Sequence, residues 1–217
     1  MKQSASDAVT EAKIADDAVE SEHLNNNVIS GQTALGATPA DTDELLVSDA
    51  GTIKRVDYSY LKGGTNTPYF FAYRNASYSI SSGTWTQIVF DAETLDSASG
   101  FNTSTGKYTI PSGQAGKYFF GFSIRSDAAD GVSKSIRMYV YGEKVDTGGS
   151  SVNFGNGSLD FRDNYGTGGS VDGSAILDCA VGDAIQVNLY HQTVSGNVTV
   201  VEGSYKPTYL FGYKIIE

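Results

Sequence analysis

Gly116-Lys117-Tyr118-Phe119-Phe120-Gly121-Phe122 is the stretch that decides how this chain folds. A strand turns successive side chains to opposite faces, so Tyr118, Phe120 and Phe122 share one of them. Phe119 and Gly121 occupy the other, which is therefore not strongly polar either. A strand with apolar surface on both sides is expected inside a β-sandwich, not at the rim of an enzyme cleft.

Working outward, short β-prone runs recur with Gly/Ser/Asp turns between them. The runs are 69–74, 84–90, 116–125, 135–143, 174–179, 184–191, 197–202 and 209–216. No credible helix separates them, so the fold class expected is all-β, a sandwich. The residues expected in its core are Trp85, Phe90, Phe101, Tyr108, Tyr118, Phe120, Phe122, Phe211 and Tyr213. The segment 147–170 breaks the pattern with many glycines, among them Phe154, Phe161 and Tyr165. Pairing around 152–154 or 158–161 and a long functional loop both stay open there.

The ordered set Phe90, Asp96, Phe101, Tyr108 and Gly116-x-Tyr118-x-Phe120-x-Phe122 resembles the globular-head signature of the complement component 1q family. That family shares its jelly roll with tumour necrosis factor. Val181-Gly182-Asp183-Ala184-Ile185-Gln186-Val187 resembles the family's turn into a late strand, and Tyr209-Leu210-Phe211-Gly212-Tyr213-Lys214-Ile215 its closing strand. The interval from Tyr108 to Gly116 is longer than the family pattern, which implies a longer turn around Pro111-Ser112-Gly113-Gln114. The resemblance spans residues 68–217 and implies a homotrimeric jelly-roll head that binds partners and holds no catalytic site. It also implies calcium as the one cofactor to consider, with Asp127, Asp130, Asp160 and Asp163 as oxygen ligands.

Before Tyr58 the chain has no aromatic residue, so this part buries little apolar surface alone. Val9, Ile14, Val19, Leu24 and Ile29 recur every fifth residue, a period that fits neither a helix face nor strand alternation. Two readings stay open: a rope in which three chains stack these residues as layers, or a flexible linker. The Ala-Asp-Asp-Ala-Val repeats resemble those preceding the heads of bacteriophage tail fibres. Glu44-Leu45-Leu46-Val47 and Thr52-Ile53-Lys54-Arg55-Val56 flank Ser48-Asp49-Ala50-Gly51 and read as a hairpin. The surrounding stretch resembles a module of marine phage fibre and virion proteins. The expected organisation is a repeat stalk over 1–33, a hairpin module and hinge over 34–67, and the head over 68–217.

The 25 acidic and 15 basic side chains give a formal charge of −10, and Lys and Arg never cluster. Nucleic acid is thereby an unsuitable partner. Cys179 is the only cysteine, which excludes an internal disulfide or a thiolate zinc site. The start has no apolar signal core and no run is long enough to cross a membrane, so a soluble protein made in a cytosol is expected. No nucleophile elbow, phosphate loop or His-Glu-x-x-His motif occurs, and the histidines are His23 and His191 alone. No enzyme is expected.

The function these readings point to is a virion structural protein, a trimeric tail fibre or spike whose head contacts the host surface. Receptor contacts are expected on Phe154, Asp160, Phe161, Arg162, Asp163, Asn164 and Tyr165. Other virion proteins would be held through the N-terminal segment. A purely structural decoration or tail-attachment protein is the alternative, and a polysaccharide depolymerase a remoter one.

Overall fold

A computed structural model describes residues 27–64, 66–128, 136–161, 168–192, 197–202, 205 and 207–215. The chain divides into two compact units between Gly63 and Gly64. Of the expected stalk layers, Val9, Ile14, Val19 and Leu24 lie outside the described residues. Ile29 lies in a short helix, α1 (Asn27–Ser30), and is 83% exposed.

The first unit holds the hairpin β1 (Glu44–Asp49) and β2 (Thr52–Asp57). Ala50 and Gly51 take φ of 50° and 85° at its tip. Two successive left-handed residues make the turn whose twist matches the strands on either side. Ion pairs Lys54–Asp49 and Arg55–Glu44 flank it, exposed and so worth little.

The second unit is a sandwich of two antiparallel sheets. Its strands are β3 (Tyr69–Tyr73), β4 (Tyr78–Ile80), β5 (Thr86–Gln87), β6 (Ala92–Asp96), β7 (Phe101–Asn102) and β8 (Lys107–Thr109). They continue as β9 (Gly116–Ala128), β10 (Ile136–Val145), β11 (Ser151–Phe161), β12 (Gly168–Cys179), β13 (Ala184–Gln192), β14 (Val198–Val200) and β15 (Tyr209–Lys214). In the first sheet the order is β12, β9, β15, β3, β6, with β14 and β4 continuing along the far end of β9. In the second it is β11, β10, β13, then β5 and β8 side by side on β13, with β7 beyond.

Tyr118, Phe120 and Phe122 do point inward together from β9, as their alternation demands. They meet Phe70 and Leu210 of their own sheet and Tyr108, Met138, Val140, Ile185, Val187 and Leu189 of the other. Phe70 stacks on Tyr108 with ring centroids 4.1 Å apart. Phe90 and Phe101 are buried here as well.

The Tyr118 hydroxyl donates to the Gln114 carbonyl at 2.7 Å, whereas the buried Tyr108 hydroxyl has no partner. Leaving a buried polar group unpaired costs about 1–3 kcal/mol. Tyr108→Phe is therefore expected to raise stability by about 1 kcal/mol, read as a higher urea midpoint at unchanged slope. A lower midpoint would show that the hydroxyl is satisfied in solution.

His191 is wholly buried on the inner face of β13, its Nε2 2.7 Å from the Ile80 carbonyl. A carbonyl only accepts, so Nε2 carries the proton and Nδ1 is left buried without a partner. Burial lowers the pKa from its ordinary 6.5, against the opposing pull of the Ile80 and Ser81 carbonyls. The unfolded imidazole then takes up a proton at a higher pH than the folded one. Stability is full above pH 6.5 and declines as pH falls below it. Denaturation midpoints are expected to drop between about pH 7 and pH 5 in the wild type and to drop less in His191→Gln. Equal slopes would remove this account.

Of the two readings open for the glycine-rich 147–170 segment, pairing is the one found: 151–161 form β11 and 168–170 begin β12. These two strands belong to different sheets and meet where a Cβ on Gly173 would stand 2.2 Å from the Gly155 carbonyl oxygen. Only glycine admits that approach. Several positions differ from expectation. Trp85 is not in the core but 47% exposed. Phe211 and Tyr213 are half-buried on the outward face of β15, because Leu210 takes the inward position and the pleat alternates.

Candidate functional site

The outward face of the first sheet is built by register. Ile176, Phe119, Tyr213 and Tyr69 lie in one row across β12, β9, β15 and β3. Ser174, Gly121, Phe211, Phe71 and Leu95 form the next, carried on to β6. Asp172, Ser123, Tyr209 and Tyr73 form the third. Each strand thus gives alternate side chains to a single surface, and most of them are rings.

The rings pack on one another across the strands. Centroids lie 5.5 Å apart for Phe71–Tyr209, 5.5 Å for Phe119–Tyr213 and 5.9 Å for Phe119–Phe211. Phe211 lies over Gly121, where an added Cβ would come within 2.5 Å of its ring. A shallow apolar hollow of about 360 Å³ opens between Tyr69, Phe71, Leu95, Phe211 and Tyr213. Polar side chains mark the border, with Asp172 at one end and Lys117, 3.9 Å from Asp178, at the other. An apolar patch of this breadth with a polar rim is the form of a protein-association surface.

Of the expected receptor residues, only Phe154 has a described side chain. Phe154 is 6% exposed, packed on Phe120 and Phe122 at 6.3 and 6.2 Å, so it is a core ring and not a surface one. The glycines around it permit this burial: its ring lies over Gly142, where a Cβ would come within 2.2 Å. Asp160 and Phe161 are placed by their backbone alone, opposite Arg137 and Ile136. Arg162, Asp163, Asn164 and Tyr165 lie outside the described residues.

Of the calcium candidates, Asp127 sits on β9 and Asp160 on β11, in different sheets, and Asp130 and Asp163 lie outside the described residues. Among the described residues no three His, Cys, Asp or Glu converge as metal ligands. Nor is any described helix long and apolar enough to cross a membrane. The turn Ala180–Asp183 is held from within. The Asp183 carboxylate, buried, accepts the Ala180 N–H at 3.0 Å and lies 3.4 Å from Lys144 Nζ. Cys179 is buried, and its thiol is pushed up to about 12 chiefly by that burial, so it is no nucleophile.

No family model and no curated protein matches the chain. Solved structures do. The crystal structure of murine APRIL at pH 5.0 superposes with a TM-score of 0.51 at 12% identity, covering 68% of this chain and 98% of that one. The globular domain of zebrafish complement 1qA gives 0.48 at 17% identity, over 70% and 99%. The structure of Eiger TNF from S. frugiperda gives 0.49 at 12%, over 69% and 92%. The second unit thus takes the fold of that APRIL structure, the jelly roll that the resemblance of the ring-bearing strands implied. Identities this low speak to the fold alone.

Proposed function

We propose that this chain is a bacteriophage virion structural protein, a homotrimeric tail fibre or spike whose jelly-roll head touches the host surface during adsorption. The observation that carries the association is the aromatic outward face of the first sheet. Phe71, Phe119, Tyr209, Phe211 and Tyr213 tile a surface that water solvates poorly and that a second copy would cover. The count of three comes from the complement-1q-like head, and the phage setting from the repeats before it, which resemble those of tail fibres. Trimers hold three identical faces at high effective concentration, which turns weak contacts into firm adsorption. The protein binds and does not turn over a substrate. It is made in the host cytoplasm and works in the virion, joined to other virion proteins through its N-terminal segment.

Native mass measurement is expected to give three copies of the 23.0 kDa chain, about 69 kDa. Antibody raised against residues 64–217 is expected to label purified particles at their fibre tips. A monomer at all concentrations would remove the trimer, and unlabelled particles would remove the virion assignment. Labelling buried along the capsid shell would favour a decoration protein instead.

A further inference from the structure

The second sheet carries its own aromatic cluster on its solvent side, away from the face just described. Tyr139 and Tyr141 come from β10, Tyr190 from β13, and Trp85 from the residue before β5. Register brings them together, since Tyr139 pairs with Tyr190, Tyr141 with Asn188, and Asn188 with Gln87. Trp85 lies 4.7 Å from Tyr141 and 5.4 Å from Tyr190, and Tyr139 lies 6.2 Å from Tyr190. Trp85 and Tyr139 are 47% and 39% exposed. The core does not need these rings: Leu189, Val187 and Ile185 of the same strand supply the inward side.

Beside the rings stands a carboxylate held in place. Glu143 Oε2 accepts the amide N–H groups of Gln186 at 2.6 Å and Asn188 at 2.8 Å. Both amide side chains are only 8% exposed, so their geometry is fixed. Gln186 keeps its Oε1 out of solvent without a partner. The Glu143 charge is close enough to the Tyr141 hydroxyl to raise its pKa, secondary to burial. A ring platform thus ends in pre-set acceptors, the Glu143 carboxylate and the Tyr141 hydroxyl.

We infer that this platform binds a neutral hexopyranose of a surface polysaccharide. Sugar C–H faces stack on aromatic planes, and sugar hydroxyls donate to fixed acceptors of this kind. Glu143 and the chain's net charge of −10 disfavour anionic saccharides. A cation cage fits less well. Trp85 is in direct ring contact with Tyr141 and Tyr190, at 4.7 and 5.4 Å between centroids, so no space is left between these faces for a cation to enter. The inference deepens the adsorption reading and rests on it for the source of the glycan.

Trp85 is the only tryptophan, so the emission of the full-length protein reports on this site directly. Neutral oligosaccharides prepared from dextran, mannan, galactan and β-glucan are titrated in turn. At least one is expected to shift the emission saturably. Affinity, measured by calorimetry so that it also reads the tryptophan-free variant, is expected to fall about tenfold or more in Trp85→Ala and in Tyr141→Ala. Glu143→Gln, which keeps the shape and an acceptor oxygen, is expected to weaken binding less than either. Circular dichroism on each variant confirms that it is folded. No response to any of these sugars overturns the inference. So does binding that survives Trp85→Ala in a folded protein, or a response confined to tetramethylammonium. Binding to host cells abolished by protease but untouched by periodate overturns it in favour of a protein receptor. If Trp85→Ala protein labels host cells as well as wild type, this site falls and the adsorption reading stands. Should wild-type protein bind sugar at Trp85 yet label no host cell, the adsorption reading falls and the site stands.

Discussion

A Phe211→Glu, Tyr213→Glu double variant is expected to run as a folded monomer of 23.0 kDa, in place of the trimer proposed for the wild type. Both residues lie on the outward face of β15, in the middle of the ring-bearing rows, and neither carries the core. Two carboxylates at each protomer's centre of contact would have to be buried without partners, which costs several kcal/mol per charge. Repeated around an axis, this exceeds what the remaining rings return at about 25 cal/mol per Å² buried. Light scattering across a wide concentration range reads the outcome. A double variant that remains trimeric places the association elsewhere on the molecule. Circular dichroism separates loss of assembly from loss of fold.

The second large effect concerns the core itself. Phe120→Ala is expected to destabilise the head by about 3–5 kcal/mol, the upper range for deleting a buried ring. Phe120 is fully buried and lies 5.6 Å from Tyr118, 6.4 Å from Phe70 and 6.3 Å from Phe154. It also fills the space over Gly212, where a Cβ would come within 2.4 Å of the ring. Glycine has no side chain to fall into the void, so the cavity persists and the cost is not relieved. Differential scanning calorimetry should show a fall in Tm of about 10 °C. A fall of only a degree or two would mean that the sheets collapse onto the gap. Because assembly adds apparent stability, the comparison is made at equal protein concentration.

The sequence made β9 legible because its pattern needs no partner to interpret: three rings on one parity, with Phe119 the one ring among Lys117, Gly121 and Ser123 on the other. The hairpin at Ser48–Gly51 was legible for a similar reason, since Asp-Ala-Gly supplies the left-handed turn. Trp85, placed on a β-prone run, and Phe211 and Tyr213, placed on a strand resembling the family's closing strand, read as core rings. Parity carried the missing signal, because Ile88 and Phe90 lie on the opposite side of the strand from Trp85, and Leu210 on the opposite side from Phe211. Both faces of the first sheet hold rings, and hydrophobicity does not say which face meets the other sheet. Phe154 and the strands around it were harder still. Glycine-rich composition reads as a loop when the glycines serve long-range contacts, and those contacts, Gly142 under Phe154 and Gly155 against Gly173, join residues that only the fold brings together. The Trp85 cluster depends on strand register across β5, β13 and β10, which no local spacing encodes.

The backbone crossing of β11 and β12 at Gly155 and Gly173 has a bearing on how copies of this protein can join. A strand left open at the side of a sheet offers a row of amides on which another chain can zip itself, a common route to fibrils. Here one margin of each layer is pressed against the other, so that side of the sandwich offers poor purchase for such templating. Growth by end-over-end pairing is discouraged there, and closed assemblies built flat against flat are favoured over open-ended ones.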